Sequence, residues 1–242
     1  MSEIPWYTIV ESVTPYIVRI TTPDASGTGF LIASSKKLHA IATVDHVVSH
    51  ANYWNQPIRI FHQASKKAVL LEPDDRAIFS GGDTDAALIV FESNEIPFKE
   101  ETIPMLDPTR FLKVGNEVGW LGFPTISKQQ LCFFSGRVSA AEDSKKPYLI
   151  DGVAVNGVSG GPVFGSVKRE GKPKVMIIGV VSSYIPNRSS GVVLPGLLEV
   201  RSVKKLHEMA KDFTNLVEAK KEVSQPPVPM PSPQLPNAVS AQ

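Results

Sequence analysis

The length, composition and charge of the chain limit the kind of protein it can be. Its 242 residues suffice for one large all-β domain or two small ones that share an interface. The 25 basic and 24 acidic residues leave a net charge of +1, whereas nucleic-acid-binding proteins usually carry a clear basic excess. No stretch approaches the roughly 18 consecutive apolar residues that a membrane-spanning helix needs. We therefore expect no nucleic-acid partner and no membrane association.

Cysteine content and the first residues bear on the cellular compartment. Cys132 is the only cysteine, so no intramolecular disulfide can form, and chains without disulfides are typical of a reducing compartment. The opening string MSEIPWYTIVESV lacks the basic start, the long apolar run and the small-residue cleavage site of a signal peptide. These features predict a cytoplasmic protein.

Residues 1–14 are predicted to form a helical arm, and the following 180 or so residues to form β-structure. Within the arm, residues 4–13 are typical of a short helix, capped by Ser2 or begun at Pro5. From Tyr16 onward, short β-branched runs are separated by turn residues. They fall into two sets of six, residues 15–105 and 106–196. The predicted fold class is all-β, with two packed six-stranded antiparallel β-barrels.

The carboxy-terminal part of the sequence changes its period and then its composition. Apolar residues recur at three- and four-residue steps over residues 197–222, which predicts an amphipathic helix. We expect its apolar stripe to dock on the second barrel, with an oligomer or partner interface as the alternative. Residues 223–242 are crowded with proline and nearly uncharged, which favours a flexible or polyproline-like tail. A docking motif for a proline-binding module is the alternative for this tail.

A glycine-rich string, Gly157-Val158-Ser159-Gly160-Gly161-Pro162, carries the strongest candidate for a reactive residue. A nucleophilic serine needs an exposed hydroxyl, a base within reach and N–H groups aimed at the developing oxyanion. Glycines permit the tight, partly left-handed backbone that points two amides into one spot. We expect Ser159 to be a nucleophile, with the N–H groups of Gly157 and Ser159 forming an oxyanion hole. An ordinary glycine-rich turn is the alternative.

The base for this nucleophile must be a histidine elsewhere in the chain. His46 follows an apolar run at the point where a strand ends and a turn begins, which is a suitable place to hold an imidazole at the edge of a cleft. His50 lies one helical turn later, and His207 is on the predicted terminal helix, where we expect a solvated position. His46 is therefore the candidate base.

The acid that would orient this base is assigned to Asp85, in the string Asp83-Thr84-Asp85-Ala86-Ala87-Leu88. A carboxylate at the start of an apolar strand becomes buried beside the cleft and needs a partner there. A histidine N–H would supply one and would fix the tautomer of the ring. Asp83, two residues earlier, is the competitor.

These strings resemble those of trypsin-like serine peptidases of the chymotrypsin fold, and most of all the protease domain of the HtrA (Deg) family. The order His46, Asp85, Ser159 agrees with the chymotrypsin arrangement. The resemblance covers nearly all of residues 15–200. Beyond the triad, the matching strings include Gly27–Ile32, Gly115–Pro124, Ser135–Ala140 and Gly191–Pro195.

The resemblance implies a serine endopeptidase that hydrolyses peptide bonds in protein or peptide substrates through an acyl-enzyme, with no metal or organic cofactor. The strand Ile178–Tyr184 would run beside the cleft and pair with substrate backbone. Ser182, Ser183 and Tyr184 would then bind substrate, with Ser182 near Asp85.

Specificity is also implied by the resemblance. Val153, six residues before the nucleophile, would lie at the base of the primary specificity pocket. An apolar residue there predicts cleavage after small or medium hydrophobic side chains and argues against specificity for Lys or Arg.

Three departures from the family pattern bear on regulation. Asp45 precedes the histidine where small or amide residues are usual, and it either perturbs the base or faces solvent. Val158 precedes the serine, and the chain lacks a zymogen-type start, so activation by a freed amino terminus is not expected. A PDZ-like domain is not expected after the helix, where the proline-rich tail begins. A regulatory protein could act through the helix or the proline-rich tail, so a partner-activated latent protease and a catalytically weak peptide-binding module are the alternatives.

Overall fold

The computed structural model describes residues 4–35, 37–127, 130–141, 147–153, 155–169, 171–189 and 192–223. The helices are α1 (Trp6–Val13), α2 (Asp45–Tyr53) and α3 (Lys204–Val223). The strands are β1 (Ile17–Thr21), β2 (Ser26–Ser35), β3 (Leu38–Thr43), β4 (Ile58–His62), β5 (Ala68–Leu71), β6 (Arg76–Ser80), β7 (Ala87–Glu92), β8 (Glu117–Gly122), β9 (Cys132–Ala140), β10 (Tyr148–Asp151), β11 (Pro162–Arg169), β12 (Lys172–Ser189) and β13 (Val192–Ser202).

The first seven strands form one antiparallel half-barrel sheet in the order β5-β4-β1-β2-β3-β7-β6. The guanidinium of Arg76, at the start of β6, donates to the carbonyl of Leu71 at the end of β5 (2.7 Å). A side chain thus links the two edge strands. The prediction of six strands in this half is wrong by one, and the additional strand is β6. Its side chains are half-buried or exposed, so no buried apolar run marks it in the sequence.

The last six strands form a closed barrel in the order β10-β13-β12-β11-β8-β9. The predicted start of the helix at residue 197 is wrong, because residues 197–202 belong to β13, which closes the barrel between β10 and β12. Leu198 and Val200 are fully buried, and the alternation of these two with the polar Glu199 and Arg201 has the period of a strand. Together with the half-barrel sheet, this barrel confirms the chymotrypsin-like fold class.

Helix α3 carries the predicted apolar stripe but docks elsewhere. Val203, just before the helix, and Leu206, Met209 and Phe213 are buried, and α3 packs against β2, β3 and β7 of the first sheet. The expected docking on the second barrel is therefore corrected. His207, expected to be solvated, is half-buried, and its Nε2 lies 2.8 Å from the carbonyl oxygen of Leu106. The proline-rich segment after residue 223 lies outside the described residues.

The two halves meet along a seam that also holds the candidate site. In α1, Ile9 and Val13 are fully buried, while Trp6 donates to Glu117 of β8 (2.9 Å). The Thr28 hydroxyl of β2 is fully buried and bonds to the second half, as described below. Among the helices of the described residues, none is both long and apolar enough to cross a membrane.

Candidate active site

His46 lies in the first turn of α2, immediately after β3. Val44 is extended (φ −111°, ψ 150°) and precedes the helix, so the chain changes from strand to helix just before the imidazole. The side chain of His46 is half exposed. The sequence predicted a turn at this point, and the structure has a nine-residue helix instead. The helix fixes the backbone of His46 at the edge of the cleft.

Asp85 receives three donors and faces the ring of His46. Nδ1 of His46 lies 3.1 Å from both carboxylate oxygens of Asp85. The backbone N–H of His46 donates to Oδ1 (3.2 Å), and the hydroxyl of Ser182 donates to Oδ2 (2.5 Å). The residue has a left-handed backbone (φ 48°, ψ 30°) between a 3-10 turn and β7, a conformation that aspartate tolerates better than most residues. Of the two aspartates considered from the sequence, Asp85 is therefore the one at the ring; the side chain of Asp83 lies outside the described residues.

The carboxylate and the ring shift each other's proton affinity. Burial on its own would raise the pKa of Asp85, but hydrogen bonds from His46 and Ser182 and the attraction of a charged imidazolium outweigh it, and the net shift is downward. The hydrogen bond to Asp85 raises the pKa of His46 against the opposing effect of burial. The charges of Asp85 and Asp45 raise it further. Of these causes, the charge of Asp45 makes the smallest contribution to the pKa of His46.

The loop carrying Ser159 is held in a shape that only glycine allows. Gly157 (φ 92°) and Gly160 (φ 84°) both have left-handed backbones. A Cβ on Gly157 would collide with the carbonyl oxygen of Phe123, and one on Gly160 with the carbonyl oxygen of Thr28 and the hydroxyl of Thr43. The fold thus demands these glycines on steric grounds.

Thr28 ties this loop to the first sheet. Its N–H donates to the carbonyl of Ser159 (2.8 Å), and its hydroxyl donates to the carbonyl of Gly157 (2.9 Å) while accepting from the N–H of Phe123 (3.0 Å). Thr28 was not among the predicted functional residues. The signal present was the string around Gly27, Thr28 and Gly29, but partners 95 or more residues away cannot be inferred from local pattern.

The backbone amides of Gly157 and Ser159 differ from those of their neighbours in their hydrogen bonds. Within the described residues, the N–H groups of Gly157 and Ser159 donate to no backbone carbonyl, while the neighbouring N–H groups of Val158 and Gly160 do, to Val155 (3.3 Å) and Val181 (2.8 Å). Ser159 is half-buried. Its hydroxyl makes no hydrogen bond to the ring of His46 among the described residues, although both line one cleft.

This cleft has a volume of about 360 Å³. The predicted binding residues Ser182, Ser183 and Tyr184 line it together with His46 and Ser159. Four further described residues line it that were not predicted to do so: Val155, Asn156, Val158 and Leu198. Val181, which also lines it, belongs to the strand that was predicted to run beside the cleft. Leu198 was missed because it had been assigned to the terminal helix.

Two predicted site residues, Gly157 and Asp85, do not line the cleft, although Asp85 contacts the ring of His46. Val153 is a third predicted site residue outside the cleft. Its side chain is 59% exposed, and it is not among the residues that line the cleft. The placement of Val153 at the base of the specificity pocket is therefore corrected. The apolar walls near the nucleophile come from Val155, Val158 and Leu198 instead.

Comparisons with known proteins identify the family and the fold of this chain. Residues 27–171, more than half of the chain, match the family model described as trypsin-like peptidase domain. No curated protein matches the sequence. Among solved structures, the chain is similar to Rv3671c from M. tuberculosis H37Rv, in the inactive form of a serine-to-alanine mutant. The TM-score is 0.56 at 18% identity, over 90% of this chain and 92% of that one. That likeness concerns the fold. The family match includes His46, Asp85 and Ser159, and it shows that the chain belongs to the trypsin-like peptidase domain family and is a serine protease.

Proposed function

We propose that the chain is an endopeptidase that cleaves polypeptides by a Ser159-His46-Asp85 triad. The observation that carries the proposal is the engagement of Nδ1 of His46 by Asp85 at 3.1 Å. This contact leaves Nε2 as the nitrogen free to accept a proton, and His46 and Ser159 line one cleft. A carboxylate, an imidazole and a serine in this relation are the components of nucleophilic acyl transfer.

The mechanism follows from the positions of these groups. Nε2 of His46 takes the proton of the Ser159 hydroxyl as Oγ attacks the scissile carbonyl carbon. The N–H groups of Gly157 and Ser159 stabilise the oxyanion of the tetrahedral intermediate. His46 then gives its proton to the leaving nitrogen, the C–N bond breaks, and an acyl-enzyme remains. A water molecule, deprotonated by His46, hydrolyses the ester and restores Ser159.

The edge of β12 supports binding of the substrate as an added strand. Strand β11 pairs with β12 only as far as Pro162 opposite Val180, and Val181 bonds to the nucleophile loop through Gly160 and Gly161. Beyond that point, Ser183 and Tyr184 pair with β13 on one side. The other side of β12 is open there among the described residues, and an extended peptide can add its backbone hydrogen bonds to it.

The lining of the cleft supports a preference for small or medium hydrophobic side chains on the acyl side. Val155, Val158 and Leu198 supply apolar surface, and no carboxylate lines this cleft among the described residues. A carboxylate at the base of the pocket is what a Lys or Arg side chain would need there. The volume of about 360 Å³ is at the small end for ligand pockets.

Labelling with a fluorophosphonate probe, followed by digestion of a peptide library, tests the proposal. We expect the wild type to be labelled, Ser159→Ala not to be labelled, and His46→Ala to be labelled far more slowly. We expect library cleavage after Ala, Val or similar residues. Labelling that persists in Ser159→Ala would refute the assignment of the nucleophile, and a profile dominated by Lys or Arg would refute the specificity.

A second candidate is a latent protease, or a weak one that serves mainly to bind peptides. It is favoured by one observation: the Ser159 hydroxyl makes no hydrogen bond to His46 within the described residues. Catalytic hydrogen bonds are often long without substrate and tighten in the complex, so we prefer the active enzyme. Robust turnover by the purified protein alone would exclude latency. Peptide binding without labelling, even with candidate partners added, would favour the binding module.

A further inference from the structure

Helix α2 carries an exposed aromatic surface that starts from the catalytic histidine. His46, His50 and Trp54 follow one another at four-residue steps, which places them on one face of the helix. Trp54 caps the helix, and its N–H donates to the carbonyl of His50 (3.0 Å). Tyr53 and Trp54 are 77% and 61% exposed. We call His50, Tyr53 and Trp54 the α2 face.

The rings of the α2 face contact one another. Tyr53 and Trp54 stand edge to face with centroids 5.0 Å apart, and the rings of His50 and Trp54 are 6.3 Å apart. Asp24 holds the His50 ring, with 2.9 Å between Oδ2 and Nδ1. The result is a continuous exposed aromatic surface, whereas exposed apolar residues are ordinarily scattered singly.

The turn that carries Asp24 and helix α2 both pack near the loop that carries the nucleophile. Asp24 lies in the turn between β1 and β2, and four residues later the N–H of Thr28 donates to the carbonyl of Ser159. A Cβ on Gly27 would contact both Val47 of α2 and the carbonyl of Ser159, so the turn and the helix are packed together beside the reacting groups. The α2 face therefore begins on a helix whose first turn is packed beside the active site, one helical turn beyond His46, which itself lines the cleft.

The mechanism decides which part of a substrate meets this face. His46 hands its proton to the leaving nitrogen, so the leaving-group segment departs on the histidine side. The acyl segment lies on the other side, along β12. His50 and Trp54 lie four and eight residues beyond His46, which along a helix is roughly 6 and 12 Å. An extended substrate chain spans these distances with about two to four residues.

We propose, on the basis of the proposed function, that the α2 face is the subsite for the leaving-group segment of a polypeptide substrate. It takes an aromatic or large apolar side chain roughly two to four residues beyond the scissile bond. Tyr and Trp rings offer large rigid contact area at little cost in conformational entropy. An aromatic substrate side chain stacks on Trp54, and the Asp24-His50 pair keeps the neighbouring ring in place.

The test uses internally quenched peptides with one fixed acyl side, chosen from the library profile. Phe or Ala is placed at the second, third or fourth position after the scissile bond. We expect the wild type to cleave a Phe peptide faster than the Ala peptide at one or more of these positions. In Trp54→Ala, kcat/KM for that Phe peptide should fall about three- to tenfold, as expected for one lost aromatic contact. The Ala peptide should be unaffected.

Two controls separate this inference from the proposed function and from misfolding. Tyr7→Ala removes an equally exposed aromatic ring (70%) from α1 and should leave the Phe preference intact. The fluorophosphonate has no leaving-group peptide, so Trp54→Ala should be labelled at the wild-type rate. Equal Phe preference in wild type and Trp54→Ala, or no Phe preference in the wild type, overturns the subsite while the protease stands. Absence of wild-type labelling overturns the proposed function itself.

Discussion

The hydroxyl of Ser182 donates a 2.5 Å hydrogen bond to Oδ2 of Asp85, the carboxylate that faces the ring of His46. Ser182 belongs to β12 of the closed barrel, whereas Asp85 precedes β7 of the first sheet. The bond therefore crosses the seam between the two halves. It is well protected, since Ser182 is only 2% exposed. We propose that Ser182 is a positioning residue, because this bond connects the strand that lines the cleft with the carboxylate that faces His46.

Replacing Ser182 with alanine should weaken catalysis and shift its pH dependence. We expect kcat/KM to fall about tenfold, in line with the loss of one hydrogen bond to a charged group. Without this donor the carboxylate becomes more basic and holds the proton on His46 more strongly. The acid limb of the kcat/KM profile should therefore move to higher pH. Ser12→Ala, which removes a serine hydroxyl from α1, should change neither quantity. A lower rate with an unmoved acid limb would indicate a merely structural role.

The charge of Asp45 should be visible in the acid limb of the activity profile. The pKa of His46 is raised above its ordinary value of 6.5, in part by Asp45. Only the neutral ring accepts the proton of Ser159, so kcat/KM should be lost as pH falls through a midpoint above 6.5. Asp45→Asn should move this midpoint to lower pH and leave the plateau unchanged. Since surface interactions are screened by salt, the shift should shrink at high ionic strength.

A matched control for this experiment is Asp74→Asn. It removes the same charge from the 3-10 turn before β6, away from the ring. Its acid limb should coincide with that of the wild type at every salt concentration. Identical shifts in the two variants would mean that net charge, and not the position of Asp45, controls the base.

Much of the fold was predictable because its signals are local. Twelve of the strands coincide with apolar, β-branched runs, and the glycines beside Ser159 mark a backbone that has to be left-handed. Strand β6 was missed because all its side chains are half-buried or exposed, so it lacks the buried alternation that marks β5, the other edge strand. The start of β13 was misassigned because residues 197–202 continue the helical spacing of α3, although their own alternation has the period of a strand.

Parts of the candidate site were not predictable because they depend on distant partners. The hydroxyl of Thr28 meets residues 95 and 129 positions away, and no local pattern reports such a contact. Val153 was placed by counting back from Ser159, but the structure leaves it exposed. The number of residues between a loop residue and the nucleophile does not determine where the loop side chain points. Tyr184 and Leu198, by contrast, are paired across neighbouring strands, and that pairing places them together.

Two glycines with similar backbones should respond very differently to alanine. Gly171, in the turn between β11 and β12, has φ 76° and open space around its Cβ position. Gly171→Ala should therefore lower the free energy of unfolding by about 1 kcal/mol through backbone strain alone. In Gly160→Ala the same strain is joined by a collision with Thr28 and Thr43, so the loss should reach about 3 kcal/mol.

The two alanine variants should also differ in reactivity. Gly171→Ala should be labelled by the fluorophosphonate at the wild-type rate, whereas Gly160→Ala should lose labelling at temperatures where circular dichroism still shows it folded. Urea titrations measure the free energy of unfolding of each variant, and the labelling rate measures the reactivity of Ser159. Wild-type labelling in folded Gly160→Ala would show that the loop tolerates a shift and that its tight packing is not needed for the nucleophile.

Two buried histidines that both contact Phe98 should make the protein sensitive to acid. His39 and His62 are each 3% exposed, and each ring lies with its centroid 4.9 Å from that of Phe98. Each ring has two partners for its nitrogens, Ser34 and Ser93 for His39 and Ser65 and Pro15 for His62. Burial lowers the pKa of both histidines below the ordinary value of 6.5.

The direction of the pH effect follows from this shift. In the unfolded chain the two histidines take up protons as pH falls below about 6.5, whereas in the folded protein they stay neutral. The unfolded state then binds more protons, so stability is full above 6.5 and is lost as pH falls through the lowered folded values. Each histidine contributes a slope of up to about 1.4 kcal/mol per pH unit. Urea unfolding between pH 5 and 8 measures this slope, and His39→Gln combined with His62→Gln should flatten it. An equally steep slope in the double variant would assign the acid sensitivity to other groups.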